Sequence, residues 1–216
     1  MRPVTPSLIV IGGCLLAFGA SFLNTGFLLS TGTSVSHLTG DIARIGSGLS
    51  TLADAEGVHI AIVTTATFGF ITGAIISGFF LHHPTLEISK PYGRILSVLG
   101  IFLILAHYAY SDFTTLSVAI ASAVCGAQNA LASRYRGVVL RTTHLTGLFT
   151  DFGIHLGMKL RGHKVESWKL LIPFCITISF LLGALVSSAL LLTDQGYWLL
   201  SAGIGYIVGG LAWSVY

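Results

Sequence analysis

The tetrapeptide His-Leu-Thr-Gly occurs twice, at residues 37–40 and 144–147, and polar and ionisable residues gather around both copies. Around the first stand His37, Thr39, Asp41 and Arg44; around the second stand Arg141, Thr143, His144, Thr146, Asp151 and His155. If a helix begins near each histidine, His37, Asp41, Arg44 and Gly48 share one face, at i, i+4, i+7 and i+11. His144, Gly147, Asp151 and His155 do the same in the second copy. Such faces offer imidazoles for proton exchange, guanidinium groups for anions and carboxylates to balance both. Ser34 and Ser36, or Thr142 and Thr143, stand where hydroxyls cap helix N-termini. Helix N-termini facing each other would present backbone N–H groups and dipole to an anion.

The elements that hold these residues must be membrane helices. The chain of 216 residues is 53% hydrophobic and only 9% charged, with a mean hydropathy of +0.85. A soluble domain carries roughly 25% charged residues, so this chain lacks the polar surface that water requires. Its net charge of +3 belongs to loops that orient a membrane protein, and no nucleic-acid partner is expected. Cys14, Cys125 and Cys175 lie inside apolar stretches with no disulfide or zinc spacing.

Six apolar stretches predict spans, at about 8–30, 59–81, 95–110, 114–133, 170–192 and 197–215. Lysines and arginines collect in cytoplasmic loops. With the N-terminus inside, ten of the eleven fall on the cytoplasmic side, and Arg44 alone falls outside. Eight spans, with 35–52 and 139–157 also crossing, would scatter the charges over both faces. The reading is therefore six spans with both termini in the cytoplasm.

The chain also repeats itself. The two tetrapeptides are separated by 144 − 37 = 107 residues, and Gly19-Ala20 matches Gly126-Ala127 at the same offset. Gly46 and Leu49 match Gly153 and Leu156 likewise, while Gly73-Ala74 and Ser77 match Gly183-Ala184 and Ser187 at an offset of 110. Residues 1–108 and 109–216 are thus expected to be two three-span repeats. Three is odd, so the second copy must enter the membrane inverted, a plan common among secondary transporters.

Each short polar segment lies between the first and second span of its repeat. One alternative is an amphipathic helix on the membrane surface. The other, favoured by its recurrence, is a re-entrant half-helix whose polar face lines a cavity. Arg44 and Asp151 are equivalent, since 44 + 107 = 151, and are expected to pair across the repeat interface. Gln128 and Asn129 sit inside the fourth span, where an unsatisfied amide is costly. They and Asn24 either bond neighbouring helices or contact substrate. Gly69-xxx-Gly73-xxx-Ser77 and Gly205-xxx-Gly209 read as close-packing faces.

Two segments resemble motifs of the YoaK-like family, small bacterial membrane proteins of unassigned function. They are SHLTGDIARIG and GAQNALASRYRGVVLRTTHLTGLFTDFG. The resemblance covers most of the chain and points to Thr39, Gly40 and Arg44 in the first copy. In the second it points to Gln128, Asn129, Arg141, Thr142, Thr143, Thr146, Gly147 and Asp151. Asp41 stands where that family usually has Asn, and Asn24 where its first span would carry Asp. The resemblance implies a multi-pass protein of the bacterial inner membrane and supplies no substrate.

The sequence thus predicts an all-α, polytopic membrane helix bundle of about six spans, in two inverted repeats, each with a polar half-helix. The expected function is that of a small transporter or permease for a polar solute, anions included. The expected solute-binding residues are His37, Thr39, Asp41, Arg44, Gln128, Asn129, Arg141, Thr143, His144, Thr146, Asp151 and His155. The alternatives are a non-transporting membrane scaffold or sensor and, behind it, an intramembrane enzyme. No hydrolase, metalloprotease or nucleotide-binding motif is present, so neither catalysis nor a cofactor or metal is expected. The expected partners are the lipid bilayer and a small molecule or ion, with a homo-oligomer also compatible.

Overall fold

The computed structural model describes residues 6–51, 57–80, 92–131, 142–193 and 196–215, which form helices and no strands. The helices are α1 (Pro6–Thr31), α2 (Leu38–Thr51), α3 (Gly57–Phe80), α4 (Tyr92–Ala109), α5 (Thr114–Leu131), α6 (Leu145–Leu160), α7 (Trp168–Thr193) and α8 (Trp198–Ser214). Five of them, α1, α3, α4, α5 and α7, are long and apolar enough to cross a membrane. The sixth, α8, is apolar over 17 residues, or about 25 Å at 1.5 Å per residue. The outer faces of α3 and α7 expose Phe68, Ile75, Phe79, Phe174, Leu181 and Leu185. So continuous an apolar surface suits lipid and not water. The protein is a polytopic helical membrane bundle.

Small residues decide which helices meet. Apolar side chains gain little by leaving lipid for one another, so close backbone approach drives association. Gly69 and Gly73 of α3 lie against the carbonyls of Ala119 and Ala123 of α5, which makes these two helices parallel neighbours. In the same way Ser179 of α7 donates to the carbonyl of Cys14 in α1 at 2.7 Å, and Gly183 lies on the carbonyl of Phe18. Helices α4 and α8 run antiparallel, with Gly93 against Gly210 and Gly100 against Gly203. The expected packing face at Gly69, Gly73 and Ser77 is therefore present. The one at Gly205 and Gly209 is not, because both have open space where a Cβ would stand. On α8 the packing glycines are Gly203 and Gly210, on the opposite side of the helix.

These directions fix the number of crossings. Between α4 and α8 the chain passes through α5, α6 and α7. If all three crossed the membrane, α4 and α8 would be parallel. They are antiparallel, so α6 turns back, and six helices cross.

An aromatic cluster locks one end of the bundle. Phe27 of α1 meets the rings of Trp198 and Tyr110 edge-on, at 5.1 and 6.0 Å between centroids. Gly26 lies beneath the Trp198 indole, where any side chain would collide. Leu23, Leu103 and Leu199 complete the surrounding core.

Valine at Gly203 must push α4 from α8 and should cost about 1–3 kcal/mol, as overpacking does. Gly205→Val, one turn-fraction away in open space, should leave stability within about half a kilocalorie, as surface changes do. Thermal unfolding of the two variants in detergent measures the difference.

Candidate functional site

Residues 33–36 must pass through the bundle interior before α2 begins, and all four are buried. In a water-free interior each of their N–H groups needs a partner. Asn24 of α1 provides it. Its Oδ1 accepts from the Ser34 hydroxyl at 2.7 Å, the Val35 and Ser36 amides at 3.2 Å each, and the Ser36 hydroxyl at 3.1 Å. Ser34 Oγ in turn accepts from the His37 amide at 2.8 Å. The chain enters this hook through Gly32, whose φ of 73° is left-handed and suits glycine.

His37 is thereby held edge-on against Phe180, with ring centroids 5.5 Å apart. Phe180 is the thirteenth of the 26 residues of α7, so α2 starts at about the middle of a spanning helix. The Nδ1 of His37 lies 3.2 Å from the Ser36 hydroxyl.

The second copy uses different residues for the same task. Gln128 of α5 is fully buried, and its Nε2 donates to the carbonyl of Leu16 in α1 at 2.7 Å and toward Thr142 Oγ1 at 3.5 Å. Tyr206 of α8 donates its hydroxyl to Gln128 Oε1. Next to it, Asn129 Oδ1 accepts from Thr143 Oγ1 at 3.1 Å. Thr142 and Thr143 are both buried, and α6 follows directly, its Leu148 packed with Ala17, Ile172 and Ile176. From there α6 returns to the end of the bundle where α7 begins. Both short helices therefore begin inside the bundle, α2 packed on α3 and α6 on α7.

The two histidines come close enough for their charges to interact. No side chain caps the N-terminus of α6, so first-turn N–H groups stay open for another acceptor. Of the hydroxyls expected to cap these helices, Ser34 and Ser36 bind Asn24, Thr143 binds Asn129 and Thr142 faces Gln128.

The remaining sequence-derived residues separate. Asp41 is buried at the first turn of α2, whereas Arg44 on the same expected face is exposed. Arg44 Nη1 donates to the carbonyl of Gly32 at 2.9 Å. Thr39, Thr146 and Asp151 are exposed, and His155 Nδ1 turns back to the Asp151 carbonyl at 2.7 Å. The expected Arg44–Asp151 pair is not formed. Among the described residues the ion pair present is Lys169–Glu166, at 3.5 Å. The physical reason is that α2 packs on α3 and α6 on α7, which leaves their charged faces turned outward rather than toward each other. Arg141 lies outside the described residues. The sequence reading left Asn24, Phe180 and Tyr206 out of the site. For Asn24 a signal existed, because 24 and 129 are the two asparagines of the chain.

The copies also differ at the tetrapeptide glycine. A Cβ on Gly147 would stand 2.7 Å from Nδ1 of His144, whose ring folds back over that position, while at Gly40 the space is open. Gly147→Ala should displace the His144 ring and shift its imidazole NMR signals. Gly40→Ala should leave those of His37 in place and raise helix stability by up to about 1 kcal/mol.

No curated protein and no solved structure matches the chain. A family description does match, over residues 12–212, which takes in all the spanning helices and both half-helices. The chain belongs to the family of proteins of unknown function designated DUF1275.

Proposed function

We propose that this protein is a small permease of the bacterial inner membrane, built from two inverted repeats and passing a polar solute between the half-helices. The observation that carries the reading is the packing of His37 on Phe180, at the middle of α7, with His144 near enough for the two charges to interact. Two re-entrant helices whose N-termini converge at mid-depth form the kind of site that alternating-access carriers place at a repeat interface. A scaffold has no need of polar groups there, where each is costly to bury.

The inverted relation draws support from α4 and α8. Gly93 and Gly100 correspond to Gly203 and Gly210 at one offset, 203 − 93 = 110 and 210 − 100 = 110. The contact of Gly93 with Gly210 is then the counterpart of the contact of Gly203 with Gly100. Equivalent helices that touch antiparallel through equivalent residues lie about a two-fold axis, and for spanning helices that axis lies in the membrane plane. The pairing of α3 with α5 and of α7 with α1 obeys the same exchange. The likeness to YoaK-like proteins and the cytoplasmic location of both termini belong to this reading. So does the absence of any proposed catalysis.

Access and topology can be tested together. Thr39→Cys and Thr146→Cys, in protein whose Cys14, Cys125 and Cys175 are changed to alanine, should react with an impermeant thiol reagent from opposite sides of the membrane. Reporters fused after Tyr216 and within residues 50–57 should likewise report opposite compartments. Protection of both engineered thiols from both sides would favour the scaffold and defeat the permease.

A further inference from the structure

Asn24 and Asn129, the asparagines of the chain, have half of each carboxamide in use. The oxygen of Asn24 is committed to four donors of the 34–36 loop, and two of those are backbone amides, which fixes which end of the carboxamide is oxygen. The oxygen of Asn129 is committed to Thr143. Planarity then places each Nδ2 on the side away from its loop. Among the described residues neither Nδ2 finds an acceptor. Asn24 is only 7% exposed, so the little surface it keeps opens on a confined space rather than on bulk water. The Thr33 hydroxyl of the same loop is fully buried and likewise unpartnered. Buried polar groups are ordinarily satisfied, and those left over in a protein mark places where water or a ligand belongs.

We propose that Asn24 and Asn129 are the hydrogen-bond donors that hold the solute between the half-helices, and that this solute is a small uncharged molecule bearing carbonyl or hydroxyl oxygens. This rests on the permease reading for the solute's passage, though not for its binding. The donors are neutral amides, matched to neutral acceptors. The positive end of α2 already has the Asp41 carboxylate in its first turn, which offsets the pull that a helix N-terminus exerts on an anion. Arg44 is directed at the Gly32 carbonyl, and Asp151 on the opposite half-helix adds negative charge to its exposed face. The Asp41 and Asp151 carboxylates disfavour an anion and leave the amide donors to a neutral oxygen.

Two asparagines in the whole chain make the test direct. Protein labelled with ¹⁵N only in asparagine gives two side-chain NH₂ groups, assigned by Asn24→Asp and Asn129→Asp. Urea at tens of millimolar should shift both signals, whereas sodium formate at the same concentration should shift neither. Formate acting without urea would overturn the uncharged class, and silence toward both would overturn the donor assignment. Asn24→Asp keeps an acceptor oxygen for Ser34, Val35 and Ser36 while deleting the donor, so folding should survive, as its melting temperature will report. In proteoliposomes that variant should lower urea flux at least tenfold relative to the unaltered protein, and an unchanged flux would overturn the proposal. Signals that respond to urea in protein that passes none would uphold the donors and reject the permease instead.

Discussion

Everything at the centre of this protein depends on one constraint, that backbone brought into a membrane interior must find hydrogen-bond partners within the protein. Two stretches of chain, 33–37 and 142–144, leave helical geometry inside the bundle. For the first, a single carbonyl oxygen on Asn24 collects four hydrogen bonds. A leucine there would strand two buried amides and two hydroxyls, each worth about 1–3 kcal/mol when left unsatisfied. That sum rivals the whole stability of an ordinary domain. The amide does not decorate the hook; it permits it.

The spanning helices supply the rigid frame in which such a hook can exist. Their closest approaches run between the two halves, α3 on α5, α1 on α7 and α4 on α8. The halves are therefore interlocked rather than docked. A re-entrant helix in this frame is clasped on one side only, α2 by α3 and α6 by α7. Its other side is left open, which is why Thr39, Arg44, Thr146 and Asp151 are all exposed. Openness of that kind at membrane depth is tolerable for polar groups only where water or a partner reaches them.

The sequence disclosed the frame well and the site in part. Apolar run lengths placed all six spanning helices within a few residues, because membrane thickness sets a length that no tertiary contact can override. The duplicated tetrapeptide located both half-helices for a similar reason, since polar residues at that depth have few roles. What could not be read was direction. Arg44 and Asp151 are equivalent by number, yet equivalence under a two-fold brings residues together only near the axis, and these sit on outward faces. Likewise Gly205 and Gly209 have the spacing of a packing face, but the neighbour lies on the side of Gly203 and Gly210. Spacing names a face of a helix and does not say what covers it. Asn24 is hard to read for a related reason, because its partners, Ser34 and Ser36, have the residue types of helix caps.

The two copies have also ceased to be mechanically equal. Gln128 corresponds to Ser21, since 128 − 107 = 21, and Tyr206 to Leu96, since 206 − 110 = 96. Ser21 is buried with an unpartnered hydroxyl, so the first half has nothing like the Gln128 network. That network ties the second loop to α1 through Leu16 and to α8 through Tyr206, hence to both halves of the chain at once. The first loop is tied by Asn24 only to α1, the helix it grows from. A displacement of α1 would carry the first loop with it unbroken. The same displacement would strain the second loop through Gln128, because its carboxamide is held at both ends. The single buried glutamine of α5 therefore couples the position of α1 to the loop that carries His144.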